Sequence, residues 1–261
     1  VLNMNERIVR LRQRLFDQTP KVCSERCKIF TESVKNDAGL PIAIQRANGF
    51  YNVLDKMTVW VKDDELIVGN QAKWPKASPI YPEYSNEWIV EELNGNPYEW
   101  DKRPGDKFYA DDDVKKDLLE CIEYWKEKTL YESLRKTLPD EINKAWDAGV
   151  IDDTWVSAAG LGNVIPDYRL VITKGLRDVI DRIKKRMSEL DLKEPGNVKK
   201  KFFLDAALKS NMAVVNFANR IADECEKEAQ KCNDEKRKSE LLNLSEICRN
   251  VQLNPARTFH E

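Results

Sequence analysis

Histidine is almost absent from this sequence: His260 alone stands in 261 residues, one place from the end. That argues against a catalytic triad built on imidazole and against a histidine-rich metal centre. Neither sign of charge is in excess, with 43 Lys and Arg against 45 Asp and Glu and a net charge of −2. No basic surplus points to nucleic acid, and no acidic tail points to disorder. No run approaches the roughly 18 apolar residues of a membrane span, and the chain does not open on a signal-peptide pattern. The six cysteines lack C-x2-C spacing, and Cys23 and Cys27 stand four apart without further ligands nearby. In a large chain without a secretion signal, this predicts structural thiols, no bound metal and a cytoplasmic location.

What is present is a soluble, mainly helical pattern, 41% hydrophobic and 34% charged. Ile8, Leu11 and Leu15 set a helix from Glu6 to Gln18, stopped by Thr19-Pro20. Ser24 opens a second helix carrying Cys27, Phe30 and Val34, and Gly39-Leu40-Pro41 breaks it. A third runs from Pro41 to about Lys56. Further helices are predicted over 111–125, 129–137, 139–148, 167–190, 197–231 and 234–251. Lys199-Lys200-Lys201 reads as the solvated start of one of them. No repeat or low-complexity linker interrupts the chain, so a single domain over residues 1–261 is expected.

Two stretches depart from this pattern. Val59, Val61, Leu66 and Val68 alternate around Lys62-Asp63-Asp64-Glu65, which predicts a short β-hairpin. It runs into a coil with Trp74, Pro75, Pro79, Tyr81, Pro82, Tyr84 and Trp88, too apolar for an open surface loop. The second stretch, GVIDDTWVSAAGLGNVIP at 149–166, is small, apolar and without helical period. Gly160-Leu161-Gly162-Asn163 resembles half of a phosphate-binding loop but lacks the third glycine and a preceding strand. Such a segment serves either as a packed connection or as a place where a ligand reaches backbone closely. No nucleophile–base pair can be read from the residues.

A family resemblance rests on the order of motifs. ERIVRLRQRL is followed by SERCKIFTES, IAIQRANGF, DDELIVGNQ and PIYPEYSNEWIVEEL, then KRPGDKF, YWKEKTLYE, GNVIPDY and NPARTFHE. This resembles the N-terminal part of a glycyl radical enzyme of the pyruvate formate-lyase-like superfamily. The nearest branch is that of the glycerol/diol dehydratases and choline trimethylamine-lyases. The resemblance implies a mainly α portion of a ten-stranded α/β barrel whose remainder lies elsewhere. It implies a radical lyase or dehydratase that cleaves a C–O, C–N, C–S or C–C bond of a small substrate. The glycyl radical would be installed by an activating enzyme using S-adenosylmethionine and an iron–sulfur cluster, and the full-length enzyme would be an anaerobic homodimer. The family's Gly-Cys-Val-Glu-like thiyl loop and Arg-Val-x-Gly-Tyr-like radical loop do not occur in these residues. The chain is therefore expected to be a truncated or fragmentary form, inactive alone. The alternative is a stand-alone, non-catalytic binding or assembly module derived from such an enzyme.

By resemblance, the loop before the long helix reaches the substrate pocket. Counting back from Gly175 places the contacting position on Asn163, with Trp155 and Ala159 beside it. A neutral amide can donate to and accept from a hydroxyl or carbonyl but offers no charge. Trp155 supplies a bulky wall or an aromatic face for a cation, and Ala159 leaves room. Glycerol, propanediol and choline fit these residues poorly. Asn163 also suits a helix N-terminus, and Trp155 also suits a core; both readings stand at this point.

Overall fold

Apolar periodicity and caps convert into ten α-helices and one small sheet among residues 5–95, 99–151 and 165–261, the residues that the computed structural model describes. In chain order they are α1 (Glu6–Asp17), β1 (Lys21–Cys23), α2 (Glu25–Asn36), α3 (Ile42–Lys56), β2 (Ala77–Pro79), α4 (Glu87–Leu93) and α5 (Asp112–Trp125). Then follow α6 (Leu130–Arg135), α7 (Asp140–Asp147), α8 (Tyr168–Ser188), α9 (Pro195–Lys231) and α10 (Glu235–Val251). The mainly helical expectation holds. The helices form two compact units: residues 1–18, 29–75 and 167–261 make the first, and residues 19–28 and 76–166 the second.

The first unit is organised by α9, which packs along both α3 and α10. Its inward stripe of Ile221, Ala222, Cys225 and Ala229 meets Leu241, Leu244 and Cys248 of α10, with Val61 closing the cluster. Small residues on α9 let the helices approach closely, and removing these side chains from water drives the association. Arg220 of α9 satisfies the end of α3 by donating to the carbonyls of Leu54 (2.6 Å) and Met57 (2.7 Å), groups that have no partner inside their own helix.

The second unit is built on α5. Asp111 caps it by accepting from the Val114 amide at 2.9 Å. Val114, Leu118, Cys121, Ile122 and Trp125 then form one buried face. β1 and β2 pair in parallel, Lys21 with Ala77, Val22 with Ser78 and Cys23 with Pro79. The other edge of β1 is held by Tyr109, whose carbonyl accepts from the Val22 amide at 2.9 Å. A capping box at Thr129 and Glu132 starts α6. The aromatic coil is largely covered within this unit: Ile80, Pro82, Glu83 and Ile89 are buried, while Tyr81 and Trp88 remain exposed.

The predicted hairpin does not form. Residues 58–68 hold a turn, with the Glu65 amide donating to the Lys62 carbonyl at 3.3 Å, but no ladder follows. The reason is competition for backbone carbonyls. Asn70 donates to Thr58, Arg237 to Lys62 and Glu65, and Arg14 to Asp63. His260 lies 2.5 Å from the Leu66 carbonyl. Val59, Val61 and Val68 pack on the α9–α10 cluster instead of on one another. The sheet that does exist joins β1 and β2, which are parallel and far apart in sequence.

Candidate functional site

Trp155, Ala159 and Asn163 all lie outside the described residues, so the site begins with what holds the two ends of their segment. In the second unit the preceding end leaves α7 through Gly149, at φ 71°, whose amide donates to the Trp146 carbonyl at 2.9 Å. The Val150 amide donates to Ala145 at 2.9 Å, so the chain is turned sharply off the helix. Trp146 fixes that corner: its ring meets Tyr131 edge-on at 6.0 Å, and the Arg135 guanidinium lies 5.1 Å from its centre while pairing with Asp147.

In the first unit the following end enters α8 at Asp167, whose carboxylate accepts from the Leu170 amide at 3.0 Å. The first turns of α8 expose Tyr168, Val171 and Ile172 at helical spacing. At Gly175 the helix is interrupted, with φ 72° and ψ 174°. Residues 253–256 dock against the break: the Arg177 amide donates to Leu253 at 3.0 Å, and the Ala256 amide donates to Ile172 at 3.3 Å. Arg177 also reaches the Asn254 side chain at 3.3 Å. The sequence used Gly175 only as a register mark. A glycine inside an otherwise amphipathic helix was the signal that its backbone is special.

Cys27, Cys225 and Cys248 are not poised for chemistry. Cys27 and Cys121 are buried together, and their mutual hydrogen bond, then burial, push the Cys27 thiol well above its ordinary range. Burial pushes Cys225 up to about 12 and raises Cys248. These are protonated core groups near neutral pH, unlike reactive thiols in exposed, electropositive settings. Among the described residues no three His, Cys, Asp or Glu side chains converge as a metal site.

A cleft of about 640 Å³ lies where α8 gives way to α9, with Arg186, Glu189, Lys199, Lys200 and Phe203 on its walls. Its charges are largely committed to each other and to neighbours: Arg186 pairs with Glu189 at 3.1 Å, and Lys200 donates to Asn197 at 2.9 Å. It holds no nucleophile and base in reach of one another.

The sequence matches the family described as pyruvate formate lyase-like over residues 4–261, and the chain belongs to that family. It is 28% identical over 256 residues to (2S)-3-sulfopropanediol dehydratase of Klebsiella oxytoca, covering 97% of this chain and 31% of that protein. It is 30% identical over 240 residues to the probable dehydratase YbiW of Escherichia coli K12, covering 92% of this chain and 29% of that one. In structure it follows the B12-independent glycerol dehydratase of Clostridium butyricum, solved with glycerol bound. That likeness has a TM-score of 0.93 and 32% identity, over 98% of this chain and 32% of the other. A glycyl radical enzyme of Archaeoglobus fulgidus is also similar, with a TM-score of 0.85 and 26% identity, over 97% of this chain and 32% of that one. The chain thus spans about a third of the length of these relatives. An isethionate sulfite-lyase of Bilophila wadsworthia is also similar, 28% identical over 270 residues, covering 98% of this chain and 32% of that protein. No described helix is long and apolar enough to cross a membrane.

Proposed function

We propose that this chain is the N-terminal portion of a glycyl radical lyase or dehydratase acting on a small substrate. The observation that carries the reading is the likeness of fold over 98% of the chain to the glycerol dehydratase. The family match over residues 4–261 supports it. In this reading the chain supplies outer helices and one pocket wall. The thiyl cysteine and radical glycine come from sequence beyond these residues. A glycyl radical, installed by an S-adenosylmethionine and iron–sulfur activating enzyme, supplies the one-electron chemistry that opens a C–O, C–N, C–S or C–C bond.

The chain's own contribution is to hold the substrate and keep water from it. Asn163 offers an amide NH2 group as donor and a carbonyl oxygen as acceptor to a hydroxyl or carbonyl. Trp155 forms a bulky wall, and Ala159 leaves space beside it. Asn163 carries no charge with which to select a charged substrate group, and the alternative role of Trp155 is an aromatic face for a cation.

The test is Asn163→Ala in the full-length protein after anaerobic activation. A lost substrate hydrogen bond is worth about 1 kcal/mol or more, so kcat/KM should fall roughly tenfold while the radical yield per protomer stays unchanged. A collapse of radical yield would show that Asn163 supports the fold and not the substrate.

A further inference from the structure

An amphipathic helix ordinarily docks by its apolar face; α1 is fixed by its charged one. Arg7, Arg10 and Arg14 form a stripe at spacings of three and four. Arg7 grips Glu240 of α10 through two bonds of 2.6 and 2.8 Å. Arg10 grips Asp64 through two bonds of 2.8 and 2.5 Å. Arg14 donates to the Asp63 carbonyl at 2.6 Å and lies 3.6 Å from the Asp64 carboxylate. The helix buries no residue, and Ile8, Val9, Leu15 and Phe16 stay exposed.

The receiving surface is fixed independently of α1. Arg237 of α10 braces the turn by donating to the carbonyls of Lys62 (3.0 Å) and Glu65 (2.8 Å), and it pairs with Glu240 at 3.1 Å. Asp64 takes a left-handed backbone, φ 66°, which aspartate tolerates better than most residues.

We propose that α1 is an electrostatic latch, docked on Asp64 and Glu240 by its arginines and released by ionic strength while the rest of its unit stays folded. Screening supplies the release. The Debye length shortens from about 10 Å at 0.1 M salt to about 3 Å at 1 M, and partly exposed pairs weaken accordingly. Among the described residues, no buried apolar residue of α1 resists the opening. Thr19-Pro20 follows the helix directly and provides a stop at which it can swing as a unit.

Hydrogen exchange of residues 5–17 in the intact protein, followed by mass spectrometry, tests this. Between about 0.05 and about 1 M sodium chloride, protection of α1 should fall roughly tenfold, while α10 keeps its protection. Asp64→Asn, which retains the backbone preference, should leave α1 weakly protected at low salt and remove most of the salt response. Glu240→Gln, away from the turn, should do the same to a smaller degree. Phe16→Ser should change nothing. Salt-independent protection of α1 would overturn the proposal. So would loss of protection in Phe16→Ser at low salt, or loss in α10 that keeps step with α1.

Discussion

Gly175 lies directly beneath the backbone of Leu253: a methyl group built on it would stand 2.3 Å from the Leu253 carbonyl oxygen and 2.6 Å from the Asn254 carbonyl carbon. Backbone atoms cannot move aside as a flexible side chain can. Two costs therefore add at this one position, a positive-φ, extended-ψ backbone (φ 72°, ψ 174°) that essentially only glycine adopts, and a steric collision.

Gly175→Ala should lower stability by about 2–4 kcal/mol or more, the sum of a strained backbone and an overpacked contact. Gly149, at φ 71° with no neighbouring atom within 4 Å of its added methyl, has a positive-φ backbone but no collision. Gly149→Ala should lose only about 1–2 kcal/mol. Urea denaturation of both variants measures the difference, and equal losses would show that the contact with Leu253 is not tight.

A second contrast concerns ion pairs. Arg26 and Glu83, both largely buried, share two bonds of 3.1 and 2.5 Å, and the Arg26 guanidinium lies 3.7 Å from the centre of the Tyr81 ring. Glu83→Ala leaves a cation buried without its carboxylate and should cost about 3–5 kcal/mol. The exposed pair Lys201–Asp205 on α9, at 2.6 Å, should cost about 0.5 kcal/mol or less when Asp205 is replaced by Ala. Comparable losses in the two denaturation curves would contradict the burial of the first pair.

Stability should fall at alkaline pH through Cys225. Burial holds its folded-state value near 12 against an ordinary 9.0. The thiol stays protonated in the folded chain while the unfolded chain ionises. Its contribution is complete below about pH 9 and is lost as pH rises toward about 12. Thermal melts of wild type and Cys225→Ala across that window should converge as pH rises. A constant gap would show that the thiol does not ionise on unfolding.

The acid side rests on Asp64. The hydrogen bond from Arg10 holds its carboxyl below its ordinary 3.8, aided by the charges of Arg10, Arg14 and Arg7 and opposed by burial. A depressed folded value means that the contribution is complete above the unfolded pKa and is lost as pH falls through the folded one. The stability difference between wild type and Asp64→Asn should therefore be constant at neutral pH and shrink below about pH 4. A difference unchanged down to about pH 2 would contradict the Arg10 pairing.

The helices were legible because each carries its own signal. Val114, Leu118, Ile122 and Trp125 repeat at helical spacing behind an aspartate cap, and Pro139 marks the approach to α7. The hairpin at 58–68 was misread because alternation was judged locally. Two of the groups that claim its carbonyls, Arg237 and His260, stand more than 150 residues away in sequence. β1 and β2 are three residues each and carry no period that a sequence can display. The aromatic coil concealed both β2 and α4. Gly175 was visible as a helical glycine, but its partner is set by the path of residues 253–256 and not by any local pattern. Trp155, Ala159 and Asn163 rest on resemblance alone, and their part in a pocket remains a proposal.

The central claim is membership of a working glycyl radical enzyme, and electron paramagnetic resonance tests it most directly. The protein encoded by the complete reading frame should be treated anaerobically with its activating enzyme, S-adenosylmethionine and reductant. The account predicts the doublet of a glycyl radical, lost on exposure to oxygen. A fully folded protein that yields no doublet under these conditions would contradict it and leave a binding or assembly module in its place.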